Sequence, residues 1–358
     1  MIILRYLTKE VLNAVLGVTL ILLLILLSDQ LVRFLSYAAA GKLSANILLQ
    51  LMGFEIPYLL ALLLPLGLYL GIIMAYGRLY ADNEMLVIQG SGFSPRRLLN
   101  LTALLGAIAA IFVAILMLWM NPLIANKKAQ LMAHSLSPDN ILETLIPGRF
   151  QVSGDRVIYV ESISRKHNIA KNVFIAEQKK SDTNAWSVVS AREGYLTKIP
   201  NAAENYMVAT DGFRYEGVPG ENAFTIIQFK KYQVRIPTTL PVTQRIEQEA
   251  IPSAQLLREY ERSANAAELQ WRISMPLSAF LLVLLAVPLS YVRPRQGRFL
   301  HFFPAILLYI IYINLLFVAR DWVTQKMVPS YIGMWWVHLV MLVLVIVLLR
   351  RQLNGKYL

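Results

Sequence analysis

The sequence predicts an α-helical membrane protein with six transmembrane helices and an all-β, jelly-roll-like domain inserted between the third and fourth. Three observations carry this. Six apolar stretches are each long enough to cross a bilayer, which takes about 20 residues as a helix. A polar segment rich in β-branched and aromatic residues, from about Asn121 to Arg272, separates the third stretch from the fourth. Lys and Arg are shared unequally between the two sets of short loops.

The spans are expected at Val11–Phe34, Ile47–Tyr76 and Leu98–Met120, then at Ser274–Val292, Phe299–Val318 and Met334–Leu349. Met1–Glu10 does not read as a cleavable signal peptide: the apolar run after it is too long, and no small-residue cleavage site follows. It reads as the start of an uncleaved first helix that is also the insertion signal. One set of short loops and ends carries Arg5, Lys9, Arg78, Arg96, Arg97, Arg293, Arg295, Arg298, Arg350, Arg351 and Lys356, eleven in all. The other carries Arg33, Lys42, Arg320 and Lys326, four. The richer side is cytoplasmic by the positive-inside rule, so both termini lie inside and the large domain outside. Trp119, Trp271, Trp322, Trp335 and Trp336 all fall at expected span ends, where amphipathic rings settle.

Composition narrows the chemistry. The chain has 358 residues, 56% hydrophobic and only 16% charged, against about a quarter charged in soluble domains. With no cysteine, disulfides, Cys-ligated zinc, Fe–S clusters and thiol catalysis are excluded. The four histidines, His134, His167, His301 and His338, lack metal-ligand spacing, so neither a metal nor another cofactor is expected. The net charge of +12 is largely the topology signal, which argues against nucleic acid as a partner. There is no G-x-x-x-x-G-K-[S/T] phosphate loop, no G-x-S-x-G, no H-E-x-x-H and no catalytic carboxylate pair. ATP hydrolysis, if used, belongs to a partner, and no catalytic residue is assigned. Glu55, inside span two beside Ile56-Pro57, is either a functional intramembrane carboxylate or a partly hydrated group near the outer interface.

In the inserted domain, strands are expected near Arg149–Val152, Arg156–Ser162, Lys171–Gln178, Ala185–Ala191, Gly194–Ile199, Asn205–Thr210 and Phe224–Ile236. Turn signals at Ser153-Gly154-Asp155, Ser181-Asp182, Pro200-Asn201, Asp211-Gly212 and Pro219-Gly220 separate them. This spacing suggests an antiparallel sandwich or jelly roll. Ser253–Leu269 reads as an amphipathic helix returning the chain to the membrane. The domain is either a solvent-exposed module that stiffens a complex, or an open sandwich whose slot holds an acyl chain and whose edge strand pairs with another protein.

The loop Gly77–Arg97 carries the most specific short-range signal. Tyr80–Gln89 is helix-compatible, Gly90 and Gly92 can stop a helix, and Ser94-Pro95 can start the next as N-cap and first-turn proline. A short helix near residues 79–90 is therefore expected across the cytoplasmic face, presenting Leu79, Met85, Leu86 and Ile88 with the carboxylate of Glu84. The Glu84-to-Gly90 spacing resembles the Glu-x5-Gly core of the coupling loop in ATP-driven importer permeases. Glu84 is then a docking group for a cytosolic protein, or a solvated loop charge. Arg33, Lys42 and Arg320 lie at the outer span ends, where they either snorkel or capture a phosphorylated lipid headgroup.

Several segments together resemble one family: Ile3–Leu7 with its Arg-Tyr-Leu, Gln30-Leu-Val-Arg33, Leu64-Pro-Leu66, Gly77-x-Leu-Tyr-x-x-x-Glu84, Glu268-Leu-x-Trp-Arg272, and Val287-Pro-Leu-Ser290 followed by Arg293-Pro-Arg-Gln-Gly-Arg298. The chain resembles the LptF/LptG permeases of lipopolysaccharide export, and the Pro-Arg-Gln-Gly-Arg and Gln-Leu-Val-Arg segments point to the LptF branch. The resemblance implies a heterodimer with an LptG-type subunit, an LptB ATPase dimer docked beneath, LptC joined to the domain, and LptA reached through the jelly-roll edge. It implies extraction of lipopolysaccharide from the outer leaflet of a Gram-negative inner membrane, through a periplasmic β domain, toward the outer membrane. Glu84 matches the carboxylate that meets LptB, and Arg33 a basic position at the cavity mouth; Lys42 and Arg320 rest on position alone. The division is then 1–121 for spans one to three, 122–252 for the periplasmic domain and 253–358 for the return helix and spans four to six. The competing reading is a non-transporting scaffold whose outer domain a cytosolic ATPase moves mechanically.

Overall fold

The structure is a computed structural model that describes residues 2–39, 47–135, 147–153, 156–164, 169–178, 185–198, 205–236, 248–291 and 302–354. The chain forms two compact units. Met1–Asp29, Gly53–Asn126 and Glu247–Leu358 make the helical unit, and Gln30–Met52 with Lys127–Ile246 make the second.

Among the described residues, six helices are long and apolar enough to cross a membrane. The first is α1, Ile2–Ala39, and the second α2, Leu48–Ala81. A short α3, Glu84–Gly90, leads to α4, Pro95–Ile115. A π-helical turn, Leu116–Met120, joins α4 to α5, Asn121–Ser135. After the sheet come α6, Ser253–Arg258, and the last three spans: α7, Ser263–Leu289, α8, Phe302–Thr324, and α9, Trp335–Leu353. All but α4 are longer than the apolar runs alone suggested; α4 ends at Ile115, and its apolar run continues through the π turn. The expected return helix Ser253–Leu269 is instead two pieces. It breaks after Arg258 and resumes at Ser263 as the first turns of span four.

The most apolar windows of α2 and α7 are each 67% buried, against 17% for α1 and 22% for α8. Two helices therefore form the centre, and the others present apolar faces outward. Lipid tails are as apolar as leucine, so close backbone packing must supply the cohesion. Gly67 and Gly71 of α2 do this against α1. A Cβ on Gly71 would lie 2.6 Å from Val15 Cγ2, and one on Gly67 would lie 2.1 Å from Thr19 Oγ1. Gly106 of α4 meets Val283 of α7 in the same way. Tyr76 and Thr102 share a hydrogen bond of 2.8 Å in the interior. His338 is a satisfied core histidine, its Nδ1 2.7 Å from Tyr312 and its Nε2 2.9 Å from Ser274. Glu55 is only 7% exposed.

In the second unit, Phe34 of α1 and Leu51 of α2 pack with Tyr37, Ile47 and Ala129 in a small cluster. The remainder is antiparallel sheet. Its strands are β1 Gln151–Ser153, β2 Arg156–Ser164, β3 Ile169–Gln178, β4 Trp186–Lys198, β5 Asn205–Gly217 and β6 Phe224–Ile236. Among the described residues these form one sheet in the order β1-β2-β3-β4-β5-β6. The strands expected at Ala185–Ala191 and Gly194–Ile199 are one strand, β4, and the expected turn at Asp211-Gly212 lies inside β5. The turn at Pro219-Gly220 is present, with Gly220 at φ 93°. Turn signals at 154–155, 181–182 and 200–201 lie outside the described residues.

A crease explains both differences. Pairing is regular to Val160↔Val173↔Ala191↔Gly212↔Phe229 and resumes at Ser162↔Lys171↔Glu193↔Thr210↔Lys231. The skipped row is Glu161, Asn172, Arg192, Asp211 and Lys230, in which Asn172 and Asp211 have φ of 50° and 51°. Two consecutive residues of each strand thus turn outward, as in a β-bulge. The inward alternation then resumes at Ile163, Ala170, Gly194, Ala209 and Tyr232. The apolar face of Ile158, Val160, Val173, Ile175, Val189 and Ala191 therefore continues across the bend into Met207, Ala209 and Val234. At Gly212 a Cβ would sit 2.3 Å from the Ser190 carbonyl, so only glycine fits the inside of the crease.

Candidate functional site

The helical unit carries polar constellations at the two ends of α4. At its start lies the loop picked out by the sequence. Asn83, left-handed at φ 62°, ends α2 and lets α3 turn away from it. Ser94 caps α4 by accepting the Arg97 N–H at 3.4 Å, with Pro95 in the first turn, the arrangement expected. The Tyr6 hydroxyl of α1 donates to Glu84 Oε2 at 2.5 Å, and Arg78 Nη2 pairs with Glu10 Oε2 at 2.7 Å. These contacts tie the start of α1 to α3. Beside them is a cavity of about 380 Å³ lined by Ile2, Ile3, Tyr6, Glu84, Val87 and Ile88.

Leu79 and Met85, expected on the presented face, are both 0% exposed and belong to the core. The physical reason is the turn at Asn83. Leu79 is still on α2, and the change of direction points Met85 back into the bundle. The outward apolar groups of α3 are Leu86 and Val87, 46% and 72% exposed, with Ile88 half-buried beside Glu84.

Beyond the other end of α4 is a buried charged node that the sequence reading missed. Glu268 of α7 is 2% exposed and Arg272, one turn on, 0%. Arg272 Nε donates to Glu268 Oε1 at 2.8 Å, and Arg320 Nη2 of α8 reaches Glu268 Oε2 at 2.6 Å. The remaining Arg272 donors go to the segment before α6: Nη1 to the Ile251 carbonyl and to Ser253 Oγ, and Nη2 to the Glu249 carbonyl, each at 2.9 Å. Ser253 Oγ in turn donates to the Leu118 carbonyl in the π turn at 2.7 Å. Trp271, expected in an interfacial belt, is 2% exposed, stacked on Phe317 at 4.9 Å and covered by the Arg320 guanidinium at 4.9 Å. Gln270 holds the α8–α9 loop, donating to the Ser330 carbonyl at 2.6 Å and accepting the Met334 N–H at 2.9 Å. At the nearby surface, Gln255, then Arg262 and Asn265, hold the Glu259 carboxyl below its ordinary pKa against partial desolvation. The signal available in the sequence was the Glu-x-x-x-Arg spacing itself, which places two opposite charges on one helical stripe.

Of the headgroup candidates, Arg33 is exposed on α1. Arg320 is engaged by Glu268 and Trp271, with its side chain 20% exposed, so it is a member of the node rather than a group standing open at the surface. Lys42, like Arg293, Arg295 and Arg298, lies outside the described residues. Among the described residues no group of His, Asp and Glu could hold a metal ion. In the sheet, β6 pairs with β5 along its full length and with no other described strand. Phe224, Ile226 and Ile227 on it are 62%, 53% and 42% exposed.

The family model for the lipopolysaccharide export system permease LptF/LptG matches residues 5–351. The chain is 32% identical over 350 residues to the lipopolysaccharide export system permease protein LptF of Escherichia coli K12, covering 97% of this chain and 94% of that protein. The same protein of Shigella flexneri matches to the same extent.

Proposed function

Because the chain belongs to the LptF/LptG family of lipopolysaccharide export permeases, we propose that it is the LptF-type half of an ATP-driven exporter. In this reading it pairs with an LptG-type subunit, docks an LptB ATPase dimer through α3, and hands lipopolysaccharide to its own sheet domain. It is an inner-membrane protein with multiple spans. We place both termini and α3 in the cytoplasm and the sheet in the periplasm, on the Lys and Arg asymmetry of the short loops. LptC and then LptA extend the sheet by strand addition, for which β6, paired among the described residues only with β5 and carrying exposed apolar residues, is suited.

The physical need is plain. Burial of an acyl chain is worth about 0.8 kcal/mol per CH₂, so extracting several chains costs on the order of tens of kcal/mol. A route out of the bilayer needs an external energy source and an apolar surface waiting outside. The observation that carries the reading is the apolar face of the sheet, uninterrupted by the crease and reaching β6, the last strand among the described residues, on the same chain as the six spans. Ile158 and Ile163 lie on it at either side of the crease. A photo-crosslinking residue at each should capture lipopolysaccharide in an ATP-dependent way in the assembled complex, while the same residue at outward Ser162 should not. No adduct at either inward position would favour the scaffold reading, in which the domain is moved but carries nothing.

A further inference from the structure

We infer that the turn between α8 and α9, residues 325–334, is a lipid-inserted anchor: its apolar side chains sit in the headgroup–acyl boundary of the bilayer, and Gln270 holds its backbone from the protein side. The inference goes beyond the permease reading. It needs the six spans, and takes from that reading only the leaflet, the outer one. The local structure sets the turn at the membrane surface. Lys326, left-handed at φ 62°, ends α8. Its N–H donates to the Val323 carbonyl at 3.1 Å, and the Met327 N–H to the Trp322 carbonyl at 2.9 Å, the paired bonds of a Schellman cap. Trp322 in turn stacks on Trp336 of α9 at 6.4 Å, so the two spans end at one level. The turn then presents Met327, Tyr331 and Ile332 outward, 66%, 78% and 44% exposed.

Irregular backbone lies at membrane depth only where protein satisfies its polar groups, because lipid cannot. Here protein does so. Gln270 of α7, 1% exposed, donates to the Ser330 carbonyl and accepts the Met334 N–H. The Tyr260 hydroxyl accepts from the same amide at 2.6 Å and donates to the same Ser330 carbonyl at 3.1 Å. Ser263 Oγ donates to the Thr324 carbonyl at 3.2 Å, and the Pro329 carbonyl accepts from Gly333 at 3.0 Å within the turn. A Cβ on Gly333 would lie 2.0 Å from Gln270 Oε1, so glycine is what admits the glutamine. A turn standing in water would leave these groups to solvent. The apolar patch also runs on without a break into the outward faces of the spans, through Trp322 and Trp335 to Val318 on α8 and Leu339 on α9, all exposed. Those faces are covered by lipid, and the same lipid covers the patch. Exposed Asp321, Gln325 and Lys326 keep the turn at headgroup level rather than in the hydrocarbon. An anchor there fixes the height and tilt of α8 and α9 in the leaflet.

The chain has no cysteine, so single cysteines can be spin-labelled in the otherwise unaltered protein. Tyr331→Cys reports the turn, with Met327→Cys as the second site should the first not fold. Gln325→Cys is the water-side reference and Leu339→Cys the hydrocarbon reference. The full chain, alone and assembled with its partner subunits, is reconstituted in vesicles of phosphatidylethanolamine and phosphatidylglycerol. Collision of each label with oxygen and with a water-soluble nickel chelate is then measured. The label on the turn should lie about 5–10 Å below the phosphates. Its oxygen-to-nickel ratio should stand severalfold above that of Gln325→Cys and below that of Leu339→Cys. A ratio equal to that of Gln325→Cys puts the turn in water and overturns the anchor. A label screened from both reagents assigns the patch to protein contact, a partner subunit's if the screening needs the assembled complex, and overturns it too. Label depth does not depend on transport. An inserted turn in a complex that places no lipopolysaccharide at Ile158 or Ile163 would therefore refute the permease reading and leave the anchor standing.

Discussion

Replacing Glu268 by Gln isolates the electrostatic part of the node. The amide keeps the size of the carboxylate and removes the charge that faces Arg272 at 2.8 Å and Arg320 at 2.6 Å. Arg320, with 20% of its side chain exposed, can turn toward water. Arg272, at 0%, cannot. Leaving one member of a buried pair uncompensated costs about 3–5 kcal/mol. Arg272 keeps its two carbonyls and the Ser253 hydroxyl, which places the cost at the lower end, about 3 kcal/mol. For a chain of this size that lowers the unfolding midpoint in detergent by about 5–10 °C. The control is Glu259→Gln, which breaks a pair whose side chains are 36% and 77% exposed and should leave the midpoint unmoved. A Glu268→Gln midpoint equal to that of Glu259→Gln would refute the reasoning, since the carboxylate would then be no buried counter-ion.

Three further outcomes are expected. Glu84→Ala should weaken co-purification of the ATPase with membrane insertion intact, and Tyr6→Phe, which removes the 2.5 Å hydrogen bond to that carboxylate, should weaken it less; unchanged ATPase recovery with Glu84→Ala sinks the docking role of α3. Gly71→Val should destabilise the α1–α2 contact by about 1–3 kcal/mol through overpacking, because a Cβ there meets the Val15 backbone at 2.8 Å, whereas Gly90→Ala, with open space around it, should be silent in the same thermal assay. Arg33→Glu should impair lipid loading more than Lys326→Glu on the exposed α8–α9 loop, and equal losses would mean that Arg33 only snorkels.

Much of this architecture was legible because the bilayer imposes lengths. Apolar runs located all six spans, and the stop-and-start chemistry of Gly90, Ser94 and Pro95 located α3. Periodicity could not place Leu79 and Met85, since one left-handed residue, Asn83, changes which way the next side chains face. The node was hidden for another reason. Glu268 and Arg272 look like a solvated helical pair, and the carbonyls that bury Arg272 come from main chain, which leaves no trace in residue type. In the sheet, the paired outward residues Arg192-Glu193 and Thr210-Asp211 broke the alternation, and a break in alternation resembles a strand end. Only neighbouring strands carrying the same irregularity at the same row distinguish a crease from a turn.

That shared row makes strand length a collective quantity. Deleting Asn172 alone would remove the extra residue from β3 while β2 and β4 kept theirs. Lys171 would then take the outward row of Asn172, Ala170 the outward row of Lys171 and Ile169 the inward row of Ala170, out of step with unaltered neighbours. Loops at the strand ends are free to lengthen or shorten, but the spacing within each strand can drift only if all five creased strands drift together. Natural variation in the family should therefore concentrate insertions at the turns and leave the crease row free of gaps, a pattern that can be read from sequences alone.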